Sequence, residues 1–226
     1  MARRRLLSFL FLLLCVAAFA GFVALGVWQV QRLAWKEDLI ARVDARVHAA
    51  PVTAPAPGDW ASVSKDVHEY RRVQLTGEYR VDGLSLVAAA TEEGQGYWVM
   101  VPLQRADGSR VYINRGFVPQ RLREQAARGD FTPRGQVSVT GLLRLNQPGG
   151  GVLRDNVPTE NRWYSRDVQA MAELHGLAPV APYFVDAEAS TQPGPIGGLT
   201  VIRFPNNHRV YAITWFALAL GVMLAA

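Results

Sequence analysis

Cysteine is nearly absent from this chain of 226 residues. Cys15 is the only one, and it sits inside an apolar run, so no intramolecular disulfide can form and thiolate redox or cysteine–metal chemistry is excluded. With no C-x-x-C-H, covalent haem attachment of the c type is excluded as well. The sequence also lacks a Walker loop, a G-x-S-x-G elbow, an H-E-x-x-H pair and a dinucleotide fingerprint after a strand. Four histidines, His48, His68, His175 and His208, and the serines show no local triad signature, although triads are assembled in space. No residues suggest a turnover chemistry, and the expectation is a protein that is not an enzyme.

Charge is missing from two stretches. Residues 6–27 carry none, and only Ser8 and Cys15 interrupt Leu, Phe, Val, Ala and Gly. About 20 such residues in a helix cross the hydrocarbon layer, where each charge would cost about 2.5–3.5 kcal/mol. Arg3, Arg4 and Arg5 precede the run and Trp28 ends it at an interfacial position. A cleaved signal peptide is the rival, with Ala18-Phe19-Ala20 as its cleavage site, but the run outlasts the usual h-region of about 7–15 residues. Residues 210–226 are uncharged too, with Tyr211 and Trp215 near their start. At roughly 17 residues this second run is near the lower limit for a span, and a C-terminal core helix is its alternative. Because a long loop translocates largely regardless of its charge, the short N-terminal tail decides orientation: both termini cytoplasmic, the middle outside.

The middle has ordinary soluble composition and is long enough for one core. Trp28, Arg32, Trp35 and Leu39 recur at helical spacing, so the first helix is expected to continue to about His48. Pro51, Pro55 and Pro57 then mark a stiff linker. Strands are expected at 71–79, 84–88, 97–103, 110–117, 136–145, 183–186 and 199–204, with a single short helix at 168–175 capped by Asp167 and a hairpin turn at Asp107-Gly108. The expected architecture is membrane α+β: two transmembrane helices flanking a β-rich, barrel-like or sandwich-like extracytoplasmic domain with one short helix. In residue terms this is a tail at 1–5, a first span at 6–28, a helical extension at 29–48, a linker at 49–59, the domain at 60–207 and a second span at 208–226. The net charge of +5 needs no nucleic acid, since the arginines fit solvated positions or anionic headgroups and form no RNA-binding signature.

His208 stands at the mouth of the second run. On a helix Tyr211 and Trp215 follow it at i+3 and i+7, placing an imidazole above an aromatic wall that suits a planar apolar ligand. A neutral imidazole is a good axial ligand for haem iron, and Arg203 and Arg209 could pair with the carboxylates of such a ligand. The plainer alternative makes His208 an interfacial polar residue that helps to start the helix, with the arginines reaching for headgroups.

Five segments in order resemble one family: residues 26–36 (GVWQVQRLAWK), 111–119 (VYINRGFVP), 161–167 (NRWYSRD), 182–186 (PYFVD) and 207–216 (NHRVYAITWF). Together they are similar to the surfeit locus protein one family of cytochrome c oxidase assembly factors, across nearly the whole chain. The resemblance implies two spans enclosing a β-rich extracytoplasmic domain and a role in maturing the haem a-containing catalytic subunit of an aa3-type oxidase. It implies haem a as a transient ligand, with His208 matching the histidine at the start of the second span in bacterial members. The implied partners are that catalytic subunit, haem a synthase and the lipid bilayer. In the competing reading the protein is a scaffold for assembly intermediates with no ligand of its own, and the arginines and Trp163 are contact or packing residues. The chain departs from the family pattern in stopping at Ala226 without a polar tail and in matching the 155–158 turn only loosely. No mitochondrial type of presequence is recognised, so a bacterial inner membrane is expected.

Overall fold

A computed structural model describes residues 2–151, 153–190, 194–200, 202 and 204–226. They form two compact units, 1–44 with 202–226, and 45–201.

The first unit holds α1 (Ala2–His48) as far as Asp44, the helix running from the apolar stretch through the expected extension, and its counterpart α5 (His208–Ala225). Both are long and apolar enough to cross a membrane. They pack against each other in antiparallel register. Phe22 stacks on Trp215 at 5.7 Å, and seven residues on in α1 Gln29 meets His208, seven residues back in α5. Ala212 and Ala219, also seven apart, are buried, as expected where small side chains let helices approach.

The second unit holds β1 (Val52–Thr53), α2 (Lys65–His68), β2 (Arg72–Tyr79), β3 (Ser85–Thr91), β4 (Gly94–Gln104), β5 (Arg110–Pro119), α3 (Arg123–Ala127), β6 (Gln136–Leu145), α4 (Val168–Leu174) and β7 (Val180–Ala187). The strands lie in the order β1-β2-β6-β7-β5-β4-β3, and a further pairing of Glu78 and Tyr79 with Gln104 and Leu103 joins β2 to β4. Strands β2, β6, β7, β5 and β4 therefore close into a small barrel, with β1 and β3 as flanking additions. Alternation along β2 sends Val73 and Leu75 inward to meet Leu103, Ile113, Leu143 and Val185. Strand β5 is buried on both faces, which explains its unbroken Val-Tyr-Ile run: Tyr112 and Phe184 pack outside the barrel under α4, with Trp163 and Met171. A third cluster, Leu86, Val99 and Val118, packs against Ala126 of α3.

Three expectations need correction. Among the described residues the domain has three short α-helices rather than one, because α2 and α3 are each about one turn, too short to show a helical period and dependent on tertiary packing. No strand forms at 199–204 among the described residues, of which Val201 and Arg203 are not members; Thr200 instead gives its hydroxyl to Asp186 at 3.0 Å. The segment read as a linker contributes β1, whose Val52 and Thr53 pair in parallel with Val73 and Gln74. Elsewhere the Asp107-Gly108 turn joins β4 to β5, and the Asp167 carboxylate accepts from the Ala170 N–H at 3.3 Å as the cap of α4.

Candidate functional site

His208 is the first residue of α5, and the preceding Asn207 makes no side-chain cap. Its Nδ1 lies 2.7 Å from Oε1 of Gln29, a polar residue only 8% exposed on α1. An amide oxygen can only accept, so Nδ1 carries a proton in this arrangement, and in the neutral ring the lone pair then falls on Nε2. An imidazole held in this way, with one nitrogen donated to a protein acceptor and the other available, is the usual form of a metal-ligating histidine. The His208 imidazole therefore fits the chemistry of a nitrogen ligand that could hold haem iron.

The other expected site residues are placed as follows. Trp215 lies one heptad along α5 on the face toward α1, its ring already stacked on Phe22. Tyr211 is exposed and Arg209 is exposed, while Arg203 lies outside the described residues. The structure thus brings His208 and Trp215 to one face of α5 and turns Tyr211 outward. Two residues before His208, Asn206 has a buried Oδ1 with no hydrogen-bond partner. Sequence reasoning did not single out Gln29. Its signal was the first polar side chain after the uncharged run, seven residues beyond Phe22 on the same helical face.

Within the 45–201 unit the chemistry-bearing side chains form a buried ion cluster. Asp186, on β7, accepts from Asn114 Nδ2 at 2.8 Å, Arg166 Nη1 at 3.1 Å and Arg144 Nη1 at 3.1 Å. Arg144 Nε also reaches Glu69 Oε1 at 2.8 Å, so two arginines face two carboxylates. Burial pushes the Arg166 guanidinium below its ordinary value, opposed by Asp186. Every oxygen in the cluster is engaged by protein donors, which suits a structural pin better than a ligand site. Charges on separate strands meet here, and no local spacing announces it.

A serine–histidine pair also exists: Ser85 Oγ lies 3.2 Å from His175 Nε2. Ser85 is 0% exposed and also hydrogen-bonds Asn161 Oδ1, so it has no path to a substrate and acts as packing. Trp163 is 1% exposed and donates to Asn161 Oδ1 at 2.6 Å, which makes it a core residue rather than a contact surface.

Known proteins similar to this chain match it over most of its length. The chain is 35% identical over 237 residues to surfeit locus protein 1 of Homo sapiens, covering 94% of this chain and 74% of the human protein. The mouse protein of the same name is 36% identical over 227 residues, covering 92% and 71% respectively. A SURF1-like protein of Caenorhabditis elegans is 33% identical over 236 residues, covering 94% and 71%. A model of the SURF1 family matches residues 16–220, taking in the whole barrel and most of both helices, and the chain belongs to the SURF1 family.

Proposed function

We propose that this chain assists the assembly of an aa3-type cytochrome c oxidase in a bacterial inner membrane, receiving haem a at His208 and releasing it to the catalytic subunit. The family is known for cytochrome c oxidase assembly, and its members act with oxidase subunits. The observation that carries the haem reading is the Gln29–His208 bond, which orients the imidazole and leaves Nε2 for a ligand. If haem were bound, His208 would hold it as a nitrogen ligand to the iron. Trp215, backed by Phe22, offers an aromatic surface beside the imidazole. Arg209 is exposed and free to turn toward a carboxylate; Tyr211 lies off the face shared by His208 and Trp215, and Arg203 remains a candidate from the sequence alone. In this reading α1 and α5 cross the bilayer, both termini are cytoplasmic and the barrel is periplasmic. Haem a synthase is the donor this reading proposes.

The test is the visible spectrum of the full chain, purified in detergent after co-expression with haem a synthesis enzymes, beside His208→Ala. A haem spectrum that vanishes in a folded, membrane-embedded His208→Ala protein supports the reading. Haem absent from both proteins favours a scaffold without a ligand, and equal haem in both moves the ligand away from His208.

A further inference from the structure

Strand β5 contains a bulge at the segment Asn114-Arg115-Gly116. Trp98 pairs with Phe117 and Met100 with Asn114, so Val99 alone faces both Arg115 and Gly116. An extra residue of this kind bends the strand and re-aims a side chain. The local sequence maintains it: Gly116 takes φ +125°, a Cβ there would lie 2.3 Å from the Ile196 carbonyl oxygen, and its N–H donates to Asn114 Oδ1 at 3.1 Å. The residue turned out of the ladder is Arg115.

Arg115 is half-buried and its partners are neutral. It donates to the Phe131 carbonyl and lies 5.2 Å from the centre of the Tyr79 ring, and among the described residues it forms no ion pair. Of the other half-buried arginines of the barrel, Arg72, Arg144 and Arg166 each meet a carboxylate, whereas Arg105 and Arg110 donate to the carbonyls of Pro55 and Leu177. A cation withdrawn from water without a counter-ion is costly, and an anion relieves that cost. Beside Arg115 is a cavity of about 590 Å³, lined also by Tyr79, Val137, Ser138, Thr140 and Ser190. It opens where β7 leaves β6, the last rungs being Gly141 with Ala187 and the Glu188 N–H on the Thr140 carbonyl. Its size is that of a small-molecule site. Glu188 lines it as well, but both its oxygens are taken by Arg72, at 2.6 and 3.1 Å. Burial raises the Tyr79 phenol above its ordinary value against the opposing pull of Arg115, so the hydroxyl keeps its proton near neutral pH.

We propose that this cavity binds a small free oxyanion, a carboxylate or phosphate monoester of metabolite size, held by the Arg115 guanidinium with the Tyr79 hydroxyl and the rim hydroxyls of Ser138 and Thr140. Arginine's planar fork matches both anions, and the hydroxyls donate to either. This site is independent of His208.

The experiment is calorimetric titration of the full chain in an uncharged detergent, at constant ionic strength, with inorganic phosphate and with succinate. Saturable one-to-one binding of either probe is expected, and the preferred probe identifies the anion class. Arg115→Gln should weaken it by at least about tenfold. Ser138→Asp, a change at an exposed rim position, should abolish it by setting a carboxylate beside the anion, and it serves alone if Arg115→Gln does not fold. Absence of saturable binding of both probes up to roughly 10 mM overturns the proposal, as does unchanged binding in either folded variant.

Discussion

Asp186→Asn separates the energetics of a desolvated ion cluster from those of an ordinary surface pair. The Asp186 side chain is 3% exposed, and its oxygens accept from Asn114, Arg144, Arg166 and Thr200. Asparagine keeps the shape, removes the charge and turns an NH2 group toward two guanidinium groups. Arg144 still has Glu69, but Arg166 is left with the neutral Gln147 Oε1 at 3.0 Å. Leaving a buried charge without its partner costs about 3–5 kcal/mol. The comparison is Asp82→Asn, which removes an Arg80–Asp82 pair of almost the same length, 3.2 Å against 3.1 Å, whose side chains are 48% and 56% exposed. Screening by solvent leaves that pair about 0–1 kcal/mol. For a domain of this size each kcal/mol moves the midpoint by about 2–4 °C, so Asp186→Asn should lower it by roughly 6–20 °C and Asp82→Asn by less than about 4 °C. Thermal unfolding of the detergent-solubilised chain, followed by near-ultraviolet circular dichroism, reads both. Equal, small losses would refute the claim that burial, rather than distance, makes the Asp186 cluster matter.

Gln29→Leu keeps the packing of α1 on α5 but removes the acceptor for His208 Nδ1. On the proposed haem reading, haem retained on purification should fall by about 10- to 100-fold, and retention at the wild-type level would remove Gln29 from the proposed site. Gly77→Ala would place a Cβ 2.3 Å from the Gln104 carbonyl oxygen at the β2–β4 seam, and should cost about 1–3 kcal/mol in denaturant titration; a neutral result would mean that the seam can yield. Burial holds the His175 imidazole below its ordinary value of 6.5, opposed by Asp82. The folded state thus binds fewer protons than the unfolded one, so this contribution is present above pH 6.5 and is lost as pH falls through the lowered value. Stability measured from about pH 7 down to about pH 5 should decline less steeply in His175→Gln, and an identical slope would discard the assignment.

Local chemistry was enough to specify the two apolar helices, the extent of α1, most of the strands, the Asp167 cap and the hairpin at Asp107-Gly108. Each of these rests on neighbours in the chain: hydropathy over a run of residues, period-two alternation, or a side chain bonding a backbone group three residues away. His208 was legible for the same reason, as a histidine opening an apolar helix. Tertiary structure decided the rest. Barrel closure needs Glu78 and Tyr79 to meet Gln104 and Leu103, a pairing that no local pattern specifies. The one-turn helices α2 and α3 lack the length to declare a period, and the short strand β1 takes its conformation from β2. Gln29 acquired its partner only when antiparallel packing carried His208 to it, and Asp186 joined Arg144 and Arg166 only when β6, β7 and the segment before α4 came together. Short-range order follows from local chemistry, whereas a hydrogen bond or ion pair between distant residues exists only once the fold has met the entropic cost of bringing them together.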